Sequence, residues 1–234
     1  MKTIGLLGGM SWESTNEYYR IMNETIRIEL GGLHSMKCII YSVDFAEIEA
    51  LQHSGDWMKA GQILTDAAQG LQLVGADMLL ICTNSMHFLY QEIQSQLNIP
   101  VIHIADSTAE MMLGKGIHRV GLLGTRFTMQ GDFYRGRLES KYGLEVLVPD
   151  ESQQNELHRI IYQELCLGTI LDQSRILVQK MIDDLKHKSA QGIILGCTEI
   201  GLLIKQKDSA LPVFDTTQIH AKHAVRLALK MDDV

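Results

Sequence analysis

A repeat constrains this chain more than any other feature of its sequence. Ile4–Gly9, IGLLGG, returns as Val120–Thr125, VGLLGT. Ala76–Asn84, ADMLLICTN, returns as Ala190–Thr198, AQGIILGCT, and Ile99–Val101, IPV, as Leu211–Val213, LPV. Each second copy trails its first by 112 to 116 residues, in the same order. Three landmarks at a nearly constant shift point to an internal duplication. Two similar α/β domains are therefore expected, residues 1–103 with 210–234 forming the first and 104–209 the second. They are expected to face each other across a cleft. Thr83 and Cys197 then occupy equivalent positions, one on each wall.

Local patterning agrees. Thr3–Leu7, Lys37–Val43, Asp77–Ile81, Pro100–Ile104, Arg119–Leu123, Glu145–Val148, Gly192–Leu195 and Pro212–Phe214 read as strands. Their apolar residues run continuously rather than alternating, as in strands covered by helices on both faces. Between them Ser14–Glu29, Asp56–Val74 and Gln153–Leu167 carry helical periodicity. Ser14 with Glu17, and Ser107 with Glu110, have capping-box spacing, and Gly168 stands where a helix would end. The βαβα rhythm predicts an α/β fold with mostly parallel sheets. In such sheets ligands bind beyond the carboxyl ends of the strands, beside helix N-termini, and every repeated landmark ends there.

Charge narrows the partners. With 21 Lys and Arg against 28 Asp and Glu, the net charge is −7, which disfavours nucleic acid. No stretch has the length of a membrane span. Four cysteines without CxxC or zinc-type spacing suggest a cytoplasmic protein with reduced thiols, no metal and no disulfide scaffold. The nine histidines also lack metal-ligand spacing.

Thr83-Asn84-Ser85 and Cys197-Thr198-Glu199 place small polar groups where a strand turns into a helix. Unpaired N–H groups and the helix dipole there favour carboxylates, and they should lower a thiol's pKa from about 8.5. Cys197 thus reads as a nucleophile or general base rather than an inert core thiol. Cys82 aligns with Gly196, and strand alternation turns it away from Thr83 into packing. Cys38 and Cys166 read as packing residues, as do Met111 and Met112. Gly8-Gly9 marks a close approach of backbone, and Thr125 with Thr128 reads equally as helix cap or carboxylate ligand. His87 reads as a residue orienting its loop.

Ile4–Met10, Thr83–His87 and Gly196–Glu199, with Gly124–Tyr134 and Ile161–Gly168, together resemble the aspartate/glutamate racemase family over essentially the whole chain. The resemblance implies a cofactor-independent enzyme of two pseudosymmetric domains, often dimeric, holding a small acidic amino acid between them. Members use two cysteines on opposite faces of Cα. Here the family's Cys-Asn-Thr-Ala-His reads Thr83-Asn84-Ser85-Met86-His87, so only Cys197 matches. Some aspartate-specific relatives place a Lys on the distal carboxylate, and Cys166 takes that slot, leaving Gln52 or Arg126 as replacements. Met10, Gln52, Asn84, Ser85, Thr125, Thr128, Thr198 and Glu199 are the implied substrate-binding residues. The expected mechanism pairs a Cys197 thiolate, base on the L face, with Thr83 as proton donor on the other. Hydantoin racemases, maleate isomerases, arylmalonate-type decarboxylases and a non-catalytic acidic-amino-acid sensor share the features that carry this reading.

Overall fold

Buried parallel strands need apolar runs bounded by turns, and eight such runs form strands in the computed structural model, which describes residues 1–230. The first half runs β1 (Ile4–Gly8), α1 (Trp12–Leu30), β2 (Cys38–Ser42), α2 (Phe45–Ser54), α3 (Trp57–Leu73), β3 (Met78–Ile81), α4 (Tyr90–Ser95), β4 (Val101–Ile102) and α5 (Ile104–Leu113). The second runs β5 (Arg119–Leu123), α6 (Arg126–Gln130), α7 (Arg135–Tyr142), β6 (Glu145–Leu147), α8 (Glu151–Gln163), α9 (Asp172–His187), β7 (Gly192–Leu195), α10 (Ile200–Leu203), β8 (Val213–Asp215) and α11 (Thr216–Lys230). Every strand lies within two residues of its expected ends.

The strands form two all-parallel sheets, ordered β2-β1-β3-β4 and β6-β5-β7-β8. The duplication is preserved down to register. Ile4 lies opposite Met78 as Val120 lies opposite Gly192, and Leu79 opposite Val101 as Ile193 opposite Val213. The sequence shifts of the repeat convert each pair into its counterpart.

The centre of the first sheet is sealed on both faces, while β2 at its edge leaves Ile40 and Tyr41 exposed. Ile4, Leu6, Met78, Leu80 and Cys82 join a layer with Tyr18, Met22 and Ile26 of α1 and Ala221, Ala224, Val225 and Ala228 of α11. Leu7, Leu79 and Ile81 join Ile48 of α2, Leu64, Ala67, Ala68 and Leu71 of α3, and Ile93 of α4. Burial of each such Leu or Ile contributes roughly 1.5–3 kcal/mol. In the second sheet Val120, Leu122, Leu123 and Ile193–Leu195 are likewise buried. No helix among the described residues is long and apolar enough to cross a membrane.

The two compact units are Met1–Ile104 with the stretch from Thr217 onward, and Ala105–Thr216. This moves the second boundary away from the 209/210 division expected from the sequence. The cause is β8, which hydrogen-bonds to β7 and so keeps residues 210–216 with the second sheet. The chain returns to the first unit only with α11.

Local differences have physical causes too. The N-cap of α1 is Ser11, whose hydroxyl accepts the Ser14 N–H at 3.3 Å. Ser14 itself donates to the Cys82 carbonyl at 2.7 Å, and Glu17 is engaged by Arg20. Ser107 sits a turn inside α5, because that helix starts directly after β4 at Ile104. Helix α8 begins on a capping box of Asp150 and Gln153, and it ends at Gln163 rather than Leu167. A single 3₁₀ turn, Leu165–Leu167, follows, closed by Gly168 at φ 74°.

Gly9 has φ +93°, and a Cβ there would lie 2.2 Å from the Val43 carbonyl oxygen. Gly55 has φ +76° but open space around it. Gly9→Ala should therefore cost roughly 2–4 kcal/mol, against about 1 kcal/mol for Gly55→Ala, which carries only the left-handed penalty. Urea unfolding midpoints check this. Equal losses in the two variants would show that the contact with Val43 does not constrain the turn.

Candidate active site

In each unit the strand pair at the centre of the sheet ends on one matching hydrogen bond. The Cys82 N–H donates to the Leu7 carbonyl at 2.9 Å, and the Gly196 N–H donates to the Leu123 carbonyl at 2.7 Å. The next residues, Thr83 and Cys197, are therefore the first to leave the ladder in each copy. Both are partly exposed. Cys82, one residue earlier, is fully buried, and burial pushes its thiol pKa up. Its expected place in the core is what the structure shows.

In the first unit, β1 delivers the turn Gly8–Ser11. Thr15 fastens it, accepting the Gly9 N–H at 2.9 Å and donating to the Ser11 carbonyl at 2.9 Å. Ser14 reaches across to the end of β3 through the Cys82 carbonyl. Thr15 and Ser14 thus link the two glycine-rich and threonine-bearing turns, a function the capping reading of Ser14 missed. Met10 and Asn84 are buried at this end, and Ser85 is half-buried. The Thr83 and Ser85 hydroxyls lie 3.3 Å apart. Gln52 is half-buried on the last turn of α2, placed by a different element from the Thr83 turn.

His87 supports Thr83 from beneath. Its Nε2 accepts the Ile104 N–H at 3.2 Å, so Nδ1 carries the hydrogen and donates to the Thr83 carbonyl at 2.8 Å. Its ring contacts those of His103 and His220 at 4.6 and 5.8 Å between centroids. His220 in turn accepts from the Tyr18 hydroxyl and donates to the Ile102 carbonyl, both at 2.8 Å. Fully hydrogen-bonded neutral imidazoles of this kind hold a loop rigid where an apolar side chain would only fill space. The expected loop-orienting character of His87 has this geometry behind it.

In the second unit, Thr125 caps α6, its hydroxyl accepting the Thr128 N–H at 3.3 Å and lying 3.2 Å from the Thr128 hydroxyl. The cap is thus present, and both residues are buried. Arg126 begins α6 with its side chain exposed. Cys197, Thr198 and Glu199 make the turn between β7 and α10, closed by Ile200 N–H to the Cys197 carbonyl and Gly201 N–H to that of Thr198. Glu199 folds back so that its Oε2 lies 2.9 Å from Cys197 Sγ, which donates to it.

That contact reverses the expected acidity of the thiol. Desolvation of the sulfur and the adjacent Glu199 carboxylate push the Cys197 thiol pKa up, which favours SH over S⁻. The helix beyond it has only four residues, too few for the dipole anticipated from the sequence. Cys166 also departs from its reading as a packing residue. It is exposed on the Leu165–Leu167 turn, which packs against α10, and a charge on it would raise Cys197 further. Glu164 anchors that turn, accepting from Ser174 at 2.5 Å and pairing with Arg159 at 2.9 Å.

Comparison with known proteins gives a consistent affiliation. The Asp/Glu/hydantoin racemase family matches residues 7–224. The broad specificity amino-acid racemase RacX of Bacillus subtilis (strain 168) is 28% identical over 95% of this chain and 96% of its own length. A proposed Asp/Glu racemase from Yersinia pestis is 52% identical, with a TM-score of 0.94 over 98% of this chain and 100% of the other. An aspartate racemase homologue from Pyrococcus horikoshii OT3 is 38% identical, with a TM-score of 0.87 and the same coverage. The duplicated parallel sheets, the turns at their strand ends and these matches together make the chain a member of the Asp/Glu/hydantoin racemase family, an isomerase of the amino acid racemase type.

Proposed function

We propose that this racemase acts on acidic amino acids, preferring L-glutamate and L-aspartate, without a cofactor, with Cys197 serving the L face of Cα and Thr83 the opposite face. The observation that carries the reading is the equivalence of Thr83 and Cys197, each one residue beyond the same ladder hydrogen bond in its copy. Racemisation must lift a proton from one face of a carbon and return one to the other, and a duplicated strand end is a natural source of two such groups.

The chemistry is limited by the carbanion. With no electron sink, the charge that develops on the substrate carboxylate needs preorganised donors, for which Asn84, Ser85 and Thr198 are placed at the strand-end turns. Met10, Thr125 and Thr128 complete the proposed pocket, with Gln52 or Arg126 toward the distal carboxylate. A threonine hydroxyl scarcely ionises near neutral pH, so Thr83 serves as a donor, directly or through water, and the base function falls to the cysteine. Because enantiomers have equal free energy, kcat/KM must be the same in both directions, and L preference appears only in kcat, in KM and in single-turnover exchange.

A wider substrate range is the second reading. The RacX match favours it, as does the exposed Cys166 where resemblance would place a lysine for a distal carboxylate. A chiral assay of Asp, Glu and neutral amino acids in heavy water separates the two. Deuterium at Cα of L-glutamate or L-aspartate alone supports the acidic specificity, and comparable incorporation into neutral substrates overturns it.

Two variants test the roles. Thr83→Ala should lose net racemisation by about 10²–10⁴-fold while keeping exchange of the L-substrate proton. Racemisation at the wild-type rate would remove Thr83 from the mechanism. Thr83→Cys should gain exchange of the D-substrate proton, since a thiol can ionise where an alcohol cannot. Unchanged D exchange would show that this position does not meet Cα.

A further inference from the structure

An alcohol's charge state cannot be tuned to a reaction near neutral pH, so what Thr83 contributes as a proton donor is set by where it stands. Threonine is β-branched and has few settings of χ1 open to it, so the peptide that carries it largely decides where its hydroxyl goes. The His87 imidazole grips that peptide. It donates from Nδ1 to the Thr83 carbonyl at 2.8 Å, and its Nε2 accepts the Ile104 N–H at 3.2 Å. The ring thereby bridges the ends of two neighbouring strands, β3 and β4. Other rings keep it from turning away. It is 1% exposed and packed against His103 and His220, and His103 in turn lies 4.7 Å from Tyr90 between centroids.

The repeat shows how particular this arrangement is. The 114-residue shift that aligns Asn84 with Thr198 aligns His87 with Gly201. The two backbones match there, His87 N–H donating to the Asn84 carbonyl and Gly201 N–H to the Thr198 carbonyl, both at 3.2 Å. Yet Gly201 has no side chain to lay on the Cys197 carbonyl, and a Cβ there would come within 3.1 Å of Asp215 Oδ2. This brace stands in the copy whose strand ends on an alcohol and is missing from the copy whose strand ends on a thiol.

We infer that His87 is a positioning residue for proton return at Thr83. It fixes Thr83 through the main-chain carbonyl, with the Ile104 N–H as its anchor, and acts through Thr83 rather than on the substrate. The inference rests on the racemase reading with Thr83 as donor, and adds what keeps that donor in place. No proton passes through the imidazole. Nδ1 keeps its hydrogen on the Thr83 carbonyl, and Nε2 stays occupied by the Ile104 N–H.

Asparagine and glutamine separate the two bonds. An asparagine amide nitrogen lies two bonds from Cβ, as Nδ1 does, and can still donate to the Thr83 carbonyl. A glutamine amide oxygen lies three bonds from Cβ, as Nε2 does, and can still accept the Ile104 N–H. Each variant loses one hydrogen bond and part of a buried ring, so plain destabilisation should affect both alike. For wild type, His87→Asn and His87→Gln, net racemisation of L-glutamate is measured beside deuterium exchange at its Cα. The ratio of the two rates does not depend on how much of each variant is folded. Exchange of the L-substrate proton belongs to Cys197, so a misplaced Thr83 lowers the ratio. His87→Gln should show a ratio about 10²-fold below wild type, and His87→Asn one close to it. Equal ratios in the two variants, or a wild-type ratio in His87→Gln, would overturn the inference. Amide hydrogen exchange of the peptide spanning Thr83–His87 gives a readout without substrate. It should quicken in His87→Gln and stay near wild type in His87→Asn, and equal protection in the two would again count against the brace. If wild type exchanges no Cα proton of L-glutamate, the acidic racemase reading fails, while the amide comparison still decides the role of His87.

Discussion

Two peptide hydrogen bonds, Cys82 N–H to the Leu7 carbonyl and Gly196 N–H to the Leu123 carbonyl, fix where the backbone leaves each sheet. A slip of one residue in either ladder would exchange the faces of the strand. In the first copy it would bring Cys82 out of the core and send Thr83 in. In the second it would do the same to Gly196 and Cys197. The apolar layers on either side of β3 hold its register firmly, since Met78, Leu80 and Cys82 face one layer and Leu79 and Ile81 the other. Core packing thereby selects which side chain each strand end leaves out of the core.

The two copies share a backbone and differ in what they place on it. The first ends its strand on a hydroxyl, steadied through the neighbouring carbonyl by His87. The second ends on a thiol whose hydrogen is held by a carboxylate two residues on. Neither partner could serve the other copy equally well. An imidazole bonded to a main-chain carbonyl fixes position without altering proton affinity at the side chain, as the proposed donor role of Thr83 requires. A carboxylate in direct contact changes the proton affinity itself, raising that of the Cys197 thiol. The two copies thus share one strand-end geometry, with an alcohol on the first and a thiol on the second.

Much of the architecture was legible because continuous apolar runs between Gly and polar turns have few other uses. Eight strands, and the equivalence of Thr83 with Cys197, follow from that pattern alone. The failures are equally specific. Ser14 and Ser107 have capping spacing, but Ser14 is needed at the Cys82 carbonyl and α5 starts early against β4. The 209/210 boundary failed because strand pairing by Val213–Asp215 outweighs proximity to the final helix. The acidity of Cys197 was misread because spacing cannot show that Glu199 turns back onto the sulfur, nor that its helix stops after four residues. Long-range hydrogen bonds, such as those joining His87 to Ile104 and Tyr18 to His220, leave no local trace in composition or periodicity.

The path of the chain also has a consequence for biogenesis. The face of the first sheet formed by Ile4, Leu6, Met78 and Leu80 is completed by Ala221, Ala224, Val225 and Ala228 near the carboxyl end. During synthesis that apolar surface is covered only in part, by α1, until α11 has left the ribosome, whereas Ala105–Thr216 has all its own strands in hand earlier. The segment made later can therefore mature before the segment made first, inverting the usual amino-terminal-first order of assembly.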